Sequence, residues 1–132
     1  MSAKAQSTAV ADFVARLFLS SIFVYAVIGK ITNYHATAAY MTAFGVSTAL
    51  LPVVIVVELL GSLCLIFGFM TRIAAAVLAV FSLAAIVIFH HVLNNQAAII
   101  VALAELAFTG GLMQLAIHGA GCISIDHYRR RT

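Results

Sequence analysis

The sequence predicts an all-α membrane protein, a four-transmembrane-helix bundle with a short interfacial helix between helices one and two. Three observations carry that expectation. Hydrophobic residues make up 64% of the 132-residue chain and charged residues only 8%, where a soluble domain carries roughly a quarter charged. Mean hydropathy is +1.15. Apolar runs of about 20 residues, each long enough for a hydrocarbon core of about 30 Å, recur four times with short connectors. One transmembrane domain therefore accounts for residues 1–132, and no soluble second domain fits in what remains.

The first span covers residues 11–30. Asp12 and Arg16 stand at i,i+4 in its first turns, acid on the N-terminal side, and read as a structural ion pair at the interface. Those charges interrupt the apolar stretch and no small-residue cleavage pattern follows, so the segment is expected to stay as an anchor. From Thr32 to Ala49 the chain is only moderately apolar, and Tyr34, Ala38, Met41 and Gly45 recur at helical spacing. A short helix in the headgroup region, ended by Gly45, follows.

The second span covers residues 51–69, with Pro52 in its first turn, Ser47 or Thr48 available as caps, and Gly68 to end it. The third covers 72–93, capped by Thr71. The fourth covers 97–118, entered through the polar loop Asn94, Asn95, Gln96. Short connectors make successive helices antiparallel neighbours. Gly61, one turn from Glu58, and Ala107 with Gly111 mark places for close backbone approach.

The formal net charge is +3, but the basic residues follow topology rather than forming a nucleic-acid patch. Lys4, Arg16, Arg72 and Arg129 to Arg131 fall on the side of the termini and only Lys30 on the other. Both termini are therefore expected in the cytoplasm, with anionic lipid as the counterion. Cys64 and Cys122 form neither a CxxC pair nor an exported disulfide framework and read as free thiols.

The functional signal lies in the acids. Glu58 and Glu105 each sit about 10 Å in from the same face at helical rise. A carboxyl group near the bilayer centre costs on the order of 2.5 to 3.5 kcal/mol on insertion scales, so it persists where it faces other helices, holds a proton or serves a ligand. Facing one cavity, the two could not both ionise cheaply, which suits a proton relay or a quinone-binding hydrogen-bond donor. His90 and His91 lie near the same end of the third span, about 100° apart, so one can face the bundle. With Lys30 and Tyr25 they complete an expected polar pocket in the outer half.

A haem bridging two helices needs partner histidines at one depth, whereas His118 lies at the opposite face and His35 on a loop. No metal-ligand spacing, hydrolase triad, P-loop or dinucleotide fingerprint is present. No metal site is therefore expected, and no flavin or haem motif is encoded.

An ordered set of short motifs runs the length of the chain: Arg16 with Phe18, Phe23 and Gly29-Lys30; Tyr40 and Gly45; Glu58-Leu59-Leu60-Gly61; Gly68 and Arg72; Phe89-His90; Gly110-Gly111-Leu112; and His118-Gly119 through Ser124-Ile125-Asp126. In that order and spacing the chain resembles the DoxX family of small four-helix bacterial inner-membrane proteins. The resemblance implies a multi-pass inner-membrane location and an oxidoreductase-associated role, since relatives include a thiosulfate:quinone oxidoreductase subunit and a component linking thiol and oxidative-stress enzymes. Two departures stand out: Gly119-Ala120-Gly121 replaces the usual Gly-Pro-Gly, and Ala104-Glu105 replaces a basic-plus-amide dipeptide. The resemblance thus supports Arg16, Lys30, Glu58 and His90 more than Glu105.

The residues, together with what the resemblance implies, lead to a redox-associated subunit binding quinone or a similar small apolar molecule. Glu58 is the central proton-exchanging group, Glu105 its partner, His90 a proton shuttle or carbonyl donor, and Lys30 an electrostatic cap beside Tyr25 and His91. Electrons would come from a protein partner. The rival reading is a non-catalytic assembly subunit, like the membrane chaperones and cargo receptors among remote eukaryotic relatives. Homo-oligomerisation fits the many small-residue faces. A channel is disfavoured because four helices leave little room for a pore.

Overall fold

The structure is a computed structural model that describes residues 2–132. It consists of helices α1 (Ala3–Thr32), α2 (Tyr34–Ala43), α3 (Leu51–Phe67), α4 (Thr71–Phe89), α5 (Gln96–His118) and α6 (Ile125–Arg131), with a 3-10 turn at Thr48–Leu50 before α3. Helices α1, α4, α5 and the unit Thr48–Phe67 are long and apolar enough to cross a membrane. In spatial order α1 packs on α3, α3 on α4 and α4 on α5, while α1 and α5 meet sparsely. α2 covers one end of the bundle and α6 the other, and these names serve below for the two ends.

Each boundary has a local cause. α1 begins eight residues before the expected start at Ala11, because Ser2 Oγ accepts the Ala5 N–H at 3.2 Å and the polar first turns are rich in alanine, the best helix former. Apolarity alone could not reveal those turns. α2 runs from Tyr34 to Ala43, and Gly45 turns the chain at φ +73°. Tyr40 stacks on Phe89 and Phe44 meets it edge-on, centroids 5.4 and 5.3 Å away, fastening α2 to the end of α4.

α3 ends at Gly68, φ +67°, whose N–H returns to the Cys64 carbonyl. A side chain there would also meet Ser124 Cβ at 2.4 Å and Arg16 Nη1 at 2.7 Å, so both backbone angle and space demand glycine. α4 stops at Phe89, not at residue 93 as expected. His90 is its C-cap, residues 91–95 lie outside any helix, and Asn95 Oδ1 caps α5 by accepting the Ala98 N–H at 2.8 Å. Thr71 is not the cap of α4. It is the first helical residue, and the capping oxygens belong to Asp126 of α6, which accepts the Met70 and Thr71 N–H groups at 2.8 and 2.9 Å.

The half nearer α6 is solid. Phe23, Leu65, Ala74, Ala75, Leu78, Ala79 and Leu112 form its core, with Leu78 seated over Gly61 and Leu19 against Gly111. Leaving glycine at these positions lets α3 approach α4, and α1 approach α5, where hydrocarbon solvent gives no hydrophobic drive.

Arg16 replaces the expected ion pair with a different device. It does not come within ion-pairing distance of Asp12, and it is 1% exposed. Its Nη1 donates to the Leu65 carbonyl at 2.8 Å and to Ile66, and Nη2 donates to the Ile123 carbonyl. A cation at the end of α3 satisfies orphan carbonyls and matches the negative end of the helix dipole. It also straps the segment before α6 to the bundle.

Candidate functional site

The half nearer α2 holds a cavity of about 560 Å³, within the size range of small-molecule sites. Its wall is apolar except for a few groups: Lys30 from α1, Thr37 and Tyr40 from α2, Glu58 from α3, Ser82 from α4, His90, and Glu105 from α5. Glu58 and Glu105, separated by almost the full length of two helices in sequence, line the same space.

Glu58 is buried, 3% exposed. Its Oε2 lies 2.8 Å from Lys30 Nζ, a charge-assisted contact, and the carboxyl group keeps lone pairs that Lys30 does not use. Lys30 reaches it because the last turn of α1 lies beside α3 and the long side chain can extend along apolar surface. Glu105 Oε2 lies 2.7 Å from His90 Nδ1, and the Glu105 backbone carbonyl accepts the Thr109 hydroxyl at 2.6 Å. That imidazole is held by the end of α4, and the pair ties α4 to α5.

The two acids line one cavity, as the sequence led us to expect, but neither stands alone in it. Each has its own basic partner: Lys30 and Glu58 join α1 to α3, and His90 and Glu105 join α4 to α5. A carboxylate facing a cation can stay charged in low dielectric where one facing a second carboxylate could not.

Tyr25 and His91 do not reach the cavity. Tyr25 is 77% exposed on the outside of α1, because five residues separate it from Lys30 and a five-residue step turns a helix by about 140°. His91 is exposed beyond the end of α4 while its neighbour His90 lines the cavity. Conversely, α2 contributes Tyr40 and Met41, noted in the sequence only for their spacing, with Thr37, and α4 contributes Ser82; Thr37 and Ser82 did not stand out in the sequence. The one usable signal was the aromatic and methionine spacing of α2, which turns that face inward. Among the described residues no three His, Cys, Asp or Glu side chains gather as a metal-ligating group.

Chemically the arrangement offers one charged pair deep in the wall, a second pair nearer the mouth with the His90 side chain 32% exposed, and aromatic and aliphatic surface between them. It can hold a small apolar ring and present hydrogen-bonding groups to polar atoms on that ring.

Comparison with known proteins agrees with this architecture. The DoxX family model matches residues 11–91. The chain is 40% identical over 113 residues to "Inner membrane protein YqjF" of Escherichia coli (strain K12), covering 86% of this chain and 87% of that protein. No solved structure matches.

Proposed function

The chain belongs to the DoxX family, and from that footing we propose that it is an inner-membrane, redox-associated subunit whose cavity binds a quinone or a similar small apolar redox molecule. The single observation that supports this most is Glu58: a buried acid paired with Lys30 at 2.8 Å, on the wall of a mostly apolar cavity between membrane-spanning helices. Intramembrane acids of this kind serve ligands or protons far more often than packing.

The residues present fit a quinone. Lys30 can direct its ammonium at a carbonyl oxygen, Glu58 can exchange a proton with that oxygen, and the His90 and Glu105 pair can pass protons at the mouth. Tyr40 and the aliphatic walls enclose the ring. A bound quinone would supply two-electron redox chemistry, and the electrons would come from a protein partner, because the chain encodes no flavin motif, haem pair or CxxC. The inner membrane as location rests on the relative's name, and cytoplasmic termini on the basic residues at the α6 end.

The test is mass spectrometry of organic extracts from gently purified protein. Wild type should retain quinone and Glu58→Gln should retain much less. Protein from either source with no lipid-soluble redox molecule would sink the proposal.

A second reading, an assembly subunit, is favoured by Gly29 and Gly110. A side chain at either would meet nothing within 4 Å, so these close-approach positions are unused inside the chain and are open to a protein partner or a second copy. Under that reading Glu58→Gln alters which membrane proteins are recovered with the chain and leaves quinone content unchanged.

A further inference from the structure

A second hollow lies on the outside of the bundle, in the half nearer α6. It is a groove of about 200 Å³ along the seam of α3 and α4, and its lining is apolar, with Val57, Gly61 and Cys64 on one helix facing Met70, Ala74 and Val77 on the other. None of these residues lines the cavity of Glu58. Gly61 and Ala74 are buried and form the floor, while Leu60, Ile73 and Val77 are exposed along the rims. Seven residues separate Met70 from Val77, and seven separate Val57 from Cys64, so the groove runs about 10 Å from the α3–α4 turn toward the middle of the bundle. Both helices are long and apolar enough to cross a membrane, which places this groove in hydrocarbon rather than water.

The mouth of the groove is charged. α6 lies against the α3–α4 turn because Asp126 accepts the Met70 and Thr71 N–H groups. Arg129, three residues on and so on the same side of α6, sets its guanidinium over the Phe69 ring, 5.5 Å from the centroid. Phe69 is the chain neighbour of Met70, which lines the groove. Among the described residues Arg129 forms no ion pair, and the Asp126 carboxyl is occupied by backbone N–H groups. A cation is thus held beside the groove without an anion of its own. Arg72, at the same end, is turned elsewhere: its Nε would lie 3.3 Å from a Cβ at Gly119, beyond α5.

We infer that the α3–α4 groove is a binding site for one anionic phospholipid, with an acyl chain lying along Gly61 and Ala74 and the phosphate meeting Arg129. An apolar groove parallel to the helices that ends at an unpaired guanidinium matches a hydrocarbon chain joined to an anionic headgroup. A partner helix, about 10–12 Å across with its side chains, is too wide to enter a groove of this volume and length. The site is separate from the cavity and does not depend on what the cavity binds. Basic residues elsewhere at this end attract anionic lipid as a diffuse field, whereas here one lipid has a defined seat.

The chain contains no tryptophan, so a single introduced one reports on its own surroundings. Ile73→Trp stands on the rim of the groove and Ile117→Trp on α5 toward the same end of the bundle; the two positions are 59% and 61% exposed, and neither lines the cavity. Each protein is placed in phosphatidylcholine vesicles in which part of the lipid is replaced by phosphatidylglycerol or phosphatidylcholine with brominated chains, since bromine quenches only nearby fluorescence. At Ile73→Trp the brominated phosphatidylglycerol should show an apparent affinity at least about fivefold above brominated phosphatidylcholine, while at Ile117→Trp the two should agree within about twofold. Adding Arg129→Gln to Ile73→Trp should abolish the preference, and adding Arg72→Gln should keep it. Equal quenching by both lipids at residue 73, a preference that survives Arg129→Gln, or the same preference at residue 117 overturns the site. Quenching by neither lipid at residue 73 shows the groove covered by protein and overturns it too. A second measurement needs no tryptophan: native mass spectrometry from nanodiscs of mixed phosphatidylglycerol and phosphatidylcholine should find one phosphatidylglycerol retained by wild type and lost from Arg129→Gln. Wild type that retains none, or a variant that retains it equally, contradicts the site.

Discussion

Leu78 occupies the space that a side chain at residue 61 would need: an added Cβ would lie 2.8 Å from Leu78 Cγ. This knob in a glycine hole sets the distance between α3 and α4 just below the cavity floor. Gly61→Val is expected to destabilise the bundle by about 1–3 kcal/mol through overpacking. Adding Leu78→Ala should recover part of that loss, because the two sites share one volume and do not add independently. Thermal unfolding in detergent of the two single variants and the double variant measures the coupling.

The ion pair of Lys30 and Glu58 joins α1 to α3 in the cavity wall. Lys30→Met leaves a buried, unpaired carboxylate and should cost about 3–5 kcal/mol, whereas Lys30→Met with Glu58→Met should cost much less, since an apolar pair needs no desolvation. Chemical denaturation in micelles gives the three values. If the single and double variants unfold alike, the pair does not carry the coupling assigned to it.

Asp126 docks α6 on the start of α4. Burial pushes its carboxyl up, but hydrogen bonds from Thr71 and Met70 and the nearby Arg130 charge outweigh burial and hold it below the ordinary carboxylate range. A group depressed in the folded state contributes its full stabilisation above its unfolded value, about 3.9, and loses it as pH falls through the lower folded value. Hydrogen-exchange protection factors at Met70 and Thr71, taken against the intrinsic rate at each pH, should therefore be high at neutral pH and fall below about pH 3.9. Asp126→Asn should weaken that protection at all pH values above that point.

Arg16 donates to carbonyls on two separate segments, at Leu65 and Ile66 of α3 and at Ile123. Arg16→Lys keeps the charge but cannot span both directions with a rigid fork. The loss expected is about 1–3 kcal/mol, from buried acceptors left without donors, and trypsin should cut at Arg129 to Arg131 faster than in wild type. Unchanged cleavage would show that the strap does not hold this segment.

Much of this architecture was written in local pattern. Pro52 and Gly68 bracket α3, Gly45 ends the region of α2, and the apolar runs place the crossing helices, because turn chemistry and hydropathy act over a few residues. The partners of the charged groups were not legible. Asp12 and Arg16 satisfy the rule for a helical ion pair, yet a buried guanidinium gains more from the open carbonyls at the end of α3, which lie 49 residues away in the chain. Glu58 and Glu105 share a depth that helical rise makes plain, but rotation about each helix axis decided that Lys30 and His90, rather than one another, would meet them. His90 lies outside its expected helix as the C-cap of α4, and its imidazole meets Glu105 of the next helix, a tertiary contact that local pattern does not show.

The strap from Arg16 also imposes an order on biosynthesis. Ile123 follows Arg16 by 107 residues, so the first helix enters the bilayer carrying a cation whose final acceptor has yet to be translated. Until that late segment emerges from the ribosome, Arg16 has only the Leu65 and Ile66 carbonyls of α3 as acceptors, and its second terminal nitrogen must turn to lipid headgroups or water near the interface. A chain that ended ahead of residue 123 would hold Arg16 through α3 alone, with one arm of its guanidinium fork unmatched.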